Sequence, residues 1–539
     1  MSIAASSLAA GGGRRPLGLA AGAALAALLV LLPLGFTLWQ AASVGGSDAA
    51  ELLFRPIVAR LAGNTALIVL ASTCSCAIAG TASAWLVERT QLPGHKLWAL
   101  LCVAPLAIPP FITSFAWVSI SPDLQGFWGA WLVLTTAYTP LVYLPVSAVL
   151  RNMDPALEET ARSLGLSPWA CFRRVTLPQL KPALLGGMLL VALSTLSEFG
   201  AFMLLHFHTF TTEIYAEYRA SFDSAGASLL ASVLMAAGML ILLAELRVRG
   251  HGRYQRLDRG ARRAANRLEL GWKRWPALLW LALQGAVTLL APIATIAYWT
   301  LQPGADAVTP AEVSPQLLLS ATATSLGLGL SAAALTTVLA LPLGYLLARH
   351  PGRLAHLLER VVYLAQGVPG IVIALALVNL AIQWLKPLYQ SALMLALAYA
   401  IMFLPLALVS VRSALMQAES KLEELARSLG LNWWQALWRV VLPLAAPGLG
   451  AAASLVFVSV ITELTATLLL APIGTETLAT QVWADTAALA FAAAAPYAAI
   501  LIALSLFSTW LLMSCLGRGA VLGAQTQAWK SQETPPCRN

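Results

Sequence analysis

The chain has 539 residues, of which 59% are hydrophobic and only 11% charged, with a mean hydropathy of +0.76. So little charge cannot cover the surface of a water-soluble protein of this length, which leaves an integral membrane protein. The formal net charge of +9 follows from topology rather than from a nucleic-acid partner, because the basic residues are confined to alternate loops.

Arg14 and Arg15 precede the first apolar run, which is longer than a signal-peptide core and lacks a small-residue cleavage site, so it reads as a retained anchor. About twelve stretches are long enough to cross a bilayer: 17–40, 62–86, 98–120, 126–150, 182–205, 227–246, 276–300, 319–348, 361–383, 388–411, 446–470 and 491–515. With the N-terminus inside, only Arg55, Arg60, Arg219 and Lys386 of the 33 Lys and Arg fall outside. The positive-inside bias then puts both termini in the cytoplasm. The stretch Arg247–Arg274, with ten Lys or Arg, joins two six-span halves. The expected organisation is a tail, first span and outer loop over 1–61, a first transmembrane domain over 62–246 and a basic linker over 247–275. A seventh span and outer loop over 276–318, a second domain over 319–515 and a cytoplasmic tail over 516–539 complete it. Cys74, Cys76, Cys102, Cys171, Cys515 and Cys537 have no disulfide or zinc spacing, and Cys74-x-Cys76 reads as two small residues packed between helices.

One polar segment occurs twice. LEETARSLGLSPWACFRRVTLPQLKPAL (Leu157–Leu184) and LEELARSLGLNWWQALWRVVLPLAAPGL (Leu422–Leu449) are 265 residues apart and identical at 16 of 28 positions. Both lie between the fourth and fifth spans of their half, hence on one side of the membrane. This is a parallel duplication rather than an inverted repeat. Each copy reads as a short helix, a glycine turn and a second amphipathic helix leading into a span. Asp154 and Pro155 start the first short helix, and Ser420 and Glu423 have capping-box spacing in the second. Gly165 and Gly430 suit a left-handed residue that ends the helix. Ser167-Pro168 and Asn432 open the second helix, which Pro178 and Pro443 are expected to interrupt. Trp169, Trp434, Val175 and Val440 mark an apolar side, to which Trp433 and Trp438 add surface. Such a unit is a DNA-binding helix pair, a helix lying on lipid, or a knob that docks into a partner. Confinement between spans argues against the first, and the acidic start argues against simple adsorption to an anionic leaflet.

The repeat resembles the cytoplasmic signature of binding-protein-dependent ABC importer permeases: E-A-A, three residues, G, nine residues, an aliphatic, one residue, Leu-Pro. It stands here as Glu159-Thr160-Ala161, Gly165, Val175 and Leu177-Pro178, and again as Glu424-Leu425-Ala426, Gly430, Val440 and Leu442-Pro443. Asn64-Thr65 resembles the usual opening of the permease core. APLAIPPFITSFAW (Ala104–Trp117), SEFGAFMLL (Ser197–Leu205) and TELTATLLLAPIGTETLATQVW (Thr462–Trp483) resemble the iron(III)-type permeases. Thiamine- and phosphonate-type relatives share the fused layout. The resemblance implies an all-α membrane protein of two tandem six-helix halves and a channel subunit that is not itself an enzyme. It implies two ABC ATPase subunits as partners, a periplasmic binding protein that delivers substrate, and an inner-membrane location. No phosphate-binding GxxxxGK[ST] loop occurs in the chain, so ATP and magnesium belong to the ATPase and the chain needs no cofactor. Glu158, Glu159, Ala161 and Gly165, with Glu423, Glu424, Ala426 and Gly430, would form the docked helices.

For the path itself, ionisable residues inside spans are functional suspects. The repeat offset aligns Glu198 with Glu463, both in fifth spans, as facing carboxylates suited to a hard cation. Pro109 and Pro369 interrupt the third span of each half and suit a cavity lining. His206 and His208 have no counterpart in the second half. The outer loops Thr211–Gly226 and Ala471–Ala488 face the binding protein. The competing readings are an ion-coupled secondary transporter and a membrane-embedded enzyme of lipid metabolism, the latter without a paired catalytic cluster.

Overall fold

A computed structural model describes residues 17–154, 156–221, 224–249, 267–302 and 314–532. Arg14, Arg15, Pro155 and most of the basic linker lie outside the described residues, as do parts of the Thr211–Gly226 loop and of the C-terminal tail. Among the described residues the chain is built of helices, and one isolated bridge joins Thr90 to Leu268.

Among the described residues ten helices are long and apolar enough to cross a membrane, and two bent helix pairs, each taken as one span, raise the total to twelve. The pairs are His95–Ala107 with Pro110–Ile120, bent by 94°, and Arg353–Gly367 with Gly370–Gln383, bent by 102°. Each is a broken crossing rather than a hairpin. Arg151 near the end of Gly126–Asn152 pairs with Glu88 near the end of Pro56–Arg89 at 2.7 Å, so both helices finish at one end of the bundle. The intervening pair must therefore cross to the other end. In the second half, Arg349 at the end of Pro315–Arg349 donates 2.7 Å to the carbonyl of Ala418, just past Ala392–Gln417, with the same consequence. The third spans, expected to bend at these prolines, are thus cut sharply at Pro109 and Pro369. A proline has no amide to donate, yet its fixed φ suits the first residues of the helix that follows. The carbonyl of Pro109 accepts from the Ile112 amide at 3.0 Å, and that of Pro369 from Val372 at 3.0 Å.

The fifth spans also differ from expectation. Helix runs unbroken over Trp169–Ser197 and Trp433–Ile461, earlier than the 182–205 and 446–470 stretches and straight through Pro178 and Pro443. A wide π turn precedes each proline, at Phe172–Thr176 and Leu437–Val441. There the amide of Leu177 bonds the carbonyl of Phe172, five residues back, and Leu442 bonds Leu437. Widening the turn removes the ring-to-carbonyl clash that would otherwise break the helix.

The two halves exchange their first helices. Gly18–Ser43 packs on Pro315–Arg349 and on the broken crossing of the second half, while Gly271–Thr300 packs on the broken crossing of the first half and on Phe491–Leu511. Side-chain amides fix each exchange, Gln40 buried and Gln284 half-buried. Gln40 donates to Ser224 at 3.0 Å and accepts from Ser228 at 3.1 Å and Asn379 at 3.2 Å. Gln284 accepts from Ser83 at 2.6 Å, and Ser83 accepts from Trp280 at 3.1 Å. In an apolar bundle such hydrogen bonds specify which helix sits where.

Ser224–Ala244 meets the second half at a backbone-close contact. A Cβ on Gly238 would lie 1.9 Å from the carbonyl oxygen of Gly367. Gly238→Ala is expected to destabilise the folded chain by ~1–3 kcal/mol through overpacking, read as a lower unfolding temperature in detergent. Gly18→Ala, with nothing within 4 Å, should leave that temperature unchanged; equal shifts for both would contradict this contact.

Candidate functional site

Two features stand out, a cavity between the halves and a pair of knobs at one end. In each knob the short helix follows from its sequence. Asp154 accepts from the Ala156 amide at 2.9 Å and caps the first, Ala156–Ser163. The second, Ser420–Ser428, has no side-chain cap. Glu423, expected to reach back to Ser420, instead turns inward to Arg349 and Tyr345, because a buried guanidinium is the stronger partner. Both helices end in a Schellman turn: Gly165 has φ +86° and Gly430 φ +93°. The amide of Leu166 bonds Ala161 at 3.1 Å, and that of Leu431 bonds Ala426 at 3.2 Å. Asn432 and Gln435 form a reciprocal capping box that starts the next helix, and in the first copy Ser167 accepts from the Ala170 amide at 3.3 Å.

The structure divides the eight residues singled out for docking. Glu159, Gly165, Glu424 and Gly430 are exposed. Ala161 and Ala426 are buried beneath the knobs. Glu158 and Glu423 point into the bundle, where Glu158 lies 3.7 Å from Arg89 and Glu423 3.1 Å from Arg349. The outer surface is instead strongly apolar, with Leu164 79% and Leu429 77% exposed and with Trp169, Leu425, Trp434 and Trp438 beside them. Trp433 is drawn inward, donating to Tyr345 at 3.1 Å.

The cavity, of about 380 Å³, lies where the fifth spans of both halves meet the broken crossing of the first. Its lining includes Glu198 and Glu463 together. Each glutamate sits in the break after its long helix and caps the short helix beyond. Glu198 accepts from the Ala201 amide at 3.1 Å, and Glu463 from Ala466 at 3.1 Å. Ser194 and Ser459, and Ser197 and Thr462, also line it. All three pairs are separated by the 265-residue repeat offset. The cavity therefore lies on the pseudo-twofold relation between the halves. Tyr138 donates to Glu198 at 2.7 Å, but the position equivalent to Tyr138 is Phe403, which also lines the cavity and has no hydroxyl to offer Glu463. Pro109 lines the cavity and Pro369 does not; Gly370, next to it, faces Glu463.

The sequence scan for charge missed Tyr138 and the hydroxyl pairs, although the repeat offset that aligned the glutamates aligns them too. His206 and His208 are exposed and away from the cavity. Among the described residues no group of three or more His, Cys, Asp or Glu could hold a resident metal. Asn64 and Thr65 lie inside Pro56–Arg89 rather than at its start, and anchor the outer segment: Asn64 donates to the His208 carbonyl at 2.9 Å and Thr65 accepts from the Phe210 amide at 3.3 Å. Ser325 repeats the second contact with the Leu478 amide at 2.9 Å.

Residues 93–248 and 340–513 both match the binding-protein-dependent transport system inner membrane component family. The Fe(3+)-transport system permease protein FbpB 2 of Haemophilus influenzae is 36% identical over 490 residues, covering 90% of this chain and 96% of that protein. The sulfate transport system permease proteins CysT and CysW of Escherichia coli are each 30% identical, over 236 and 196 residues. These matches cover 40% and 33% of this chain, and 85% and 67% of the two relatives. With two family units in one helical chain, and the family's signature twice at one end of the bundle, the protein belongs to the inner-membrane permease components of binding-protein-dependent ABC importers.

Proposed function

We propose that the chain carries iron(III) across a bacterial inner membrane, with its knobs and both termini in the cytoplasm and a periplasmic binding protein delivering substrate to the outer face. The observation that carries this reading is the shared cavity, lined by repeat-related Ser194, Ser197 and Glu198 from one half and Ser459, Thr462 and Glu463 from the other. Carboxylate, hydroxyl and phenol oxygens suit a hard cation. Among the described residues neither Lys nor Arg lines the cavity, so an anion such as sulfate or a phosphonate meets two carboxylates and no counter-charge from them. The iron(III) relative, aligned along 96% of its length, supports the same cargo. Two carboxylates without a third strong ligand hold a passing ion without trapping it.

Two separate ATPase subunits supply the energy, one on each knob, and hold the ATP and magnesium. The exposed apolar residues around Gly165 and Gly430, with Glu159 and Glu424, form the docked surface. Closure of the ATPase pair moves both knobs, and the halves rock about the cavity between inward- and outward-open states. Buried Ala161 and Ala426 let each knob sit close on the bundle.

Two outcomes test this reading. In proteoliposomes containing the ATPase and the binding protein, Glu198→Gln with Glu463→Gln should lower iron(III) uptake at least about tenfold, ~1.4 kcal/mol of lost stabilisation. Unchanged uptake, or uptake of thiamine in preference to iron, would remove the cargo assignment. Separately, Leu164→Glu with Leu429→Glu should abolish co-purification of the ATPase while leaving the permease folded. An ATPase that stays bound to this variant, or transport that survives vanadate, would remove the docking assignment.

A further inference from the structure

The two knobs are seated on the bundle by different chemistry. Helices Pro56–Arg89 and Pro315–Arg349 each end in a buried arginine beneath a knob. In the second half the seat is a closed network. Arg349 donates through Nε to Glu423 at 3.1 Å and through Nη2 to the carbonyl of Ala418 at 2.7 Å. The other oxygen of Glu423 accepts from the Tyr345 hydroxyl, which in turn accepts from Trp433 at 3.1 Å. The Trp433 ring stands edge-on to Tyr345 at 5.8 Å. Two residues of the Pro315–Arg349 span thus grip the knob helix, the end of the Ala392–Gln417 span before it and the helix after it.

The first half lacks this grip. Arg89 Nη2 is 3.7 Å from Glu158, and among the described residues neither Nε nor Nη2 of Arg89 has a hydrogen-bond partner. Glu158 instead accepts from Thr176 at 2.7 Å, within its own knob and following helix. The repeat explains the difference. Thr176 is replaced by Val441, which cannot donate, and Trp85, four residues before Arg89 as Tyr345 is before Arg349, packs against Phe172 at 6.3 Å. The end of the first-half span is held elsewhere: the carbonyl of Arg89 accepts from the Leu268 amide at 2.8 Å, and the Gln91 amide donates to Leu268 at 2.9 Å. That clamp joins the span to the connection between halves, not to its knob.

We propose that the knobs are mechanically unequal: the second is latched by hydrogen bonds through Arg349, Tyr345 and Glu423 to a second span, so its displacement moves two spans together, whereas the first meets its second span through the longer Arg89–Glu158 ion pair alone and moves it less. Arg349 and Tyr345 are then positioning residues for coupling, remote from both cargo and ATP. A buried, hydrogen-bonded ion pair transmits displacement because separating it strands a charge in apolar surroundings. This inference rests on the reading that the knobs receive the ATPase stroke.

The test compares two double variants in proteoliposomes with the ATPase and the binding protein: Arg349→Gln with Glu423→Gln, and Arg89→Gln with Glu158→Gln. Each removes both charges, so neither strands one. The readouts are co-purified ATPase and iron(III) transported per ATP hydrolysed. Both variants should retain the ATPase, since these glutamates face away from the docked surface. Transport per ATP should fall about fivefold or more in the second-half variant, in the range of a coupling interaction, and by less than about twofold in the first-half variant. Equal losses, or none in the second half, would overturn the inequality; loss of ATPase from the unaltered chain would instead sink the docking reading. If the second-half double variant folds poorly, Tyr345→Phe removes one hydroxyl and must lower transport per ATP more than Trp85→Phe does. A Tyr345→Phe effect no larger than that of Trp85→Phe would overturn the latch.

Discussion

A helix cut inside an apolar bundle frees amides and carbonyls that lipid cannot satisfy, so such a cut survives only where other groups of the protein take them up. Three cuts line the cavity, at Pro109, Glu198 and Glu463, and a fourth, at Pro369, stands beside Glu463 through Gly370. At the prolines one amide is missing by chemistry, and the proline carbonyl starts the next helix. At the glutamates a carboxylate oxygen takes an amide of the short helix that follows, Ala201 or Ala466. The same two carboxylates therefore close the backbone account and line the cavity proposed as the passage. On the proposed function an acidic residue there serves structure and passage at once, in the same break of both halves.

Around this shared frame the halves have diverged in ways a symmetric pair of separate identical chains could not. Tyr138 faces Phe403 and Thr176 faces Val441 across the repeat, and Trp85 stands four residues before Arg89 as Tyr345 does before Arg349. Each replacement moves a single hydroxyl, and each hydroxyl decides where a carboxylate finds its partner. Glu198 is tied to a phenol while Glu463 is not; Glu423 is tied to a neighbouring span while Glu158 accepts from Thr176 of the helix that follows it. Fusion also lets the first helix of each half cross to the other, where Gln40 and Gln284 hold it. Cargo chemistry and mechanical coupling can therefore be tuned in one half without disturbing the other.

Much of this was legible in the sequence, for physical reasons. Charge is so costly among apolar residues that Glu198 and Glu463 identify themselves, and the repeat offset pairs them. Gly165 and Gly430 announce a left-handed turn because few other residues adopt it. Prolines were less readable: Pro109 and Pro369 cut their helices, whereas Pro178 and Pro443 pass through a widened turn that no local pattern announces. Side-chain direction was least readable. Glu158 and Glu423 look like surface acids of a polar segment, and only the arginines ending distant helices turn them inward. Tyr138 escaped notice because a tyrosine in a span is ordinary until its partner is known.

The central claim is that the cavity shared by the two halves is the passage taken by the cargo. Ser459, which lines it, offers the most direct test. After Ser459→Cys, complete labelling by a bulky water-soluble thiol reagent should block iron(III) uptake in proteoliposomes, substrate should slow the labelling, and the same reagent should leave the unaltered chain active. Full uptake through a completely labelled Ser459→Cys chain would place the passage elsewhere and contradict the account.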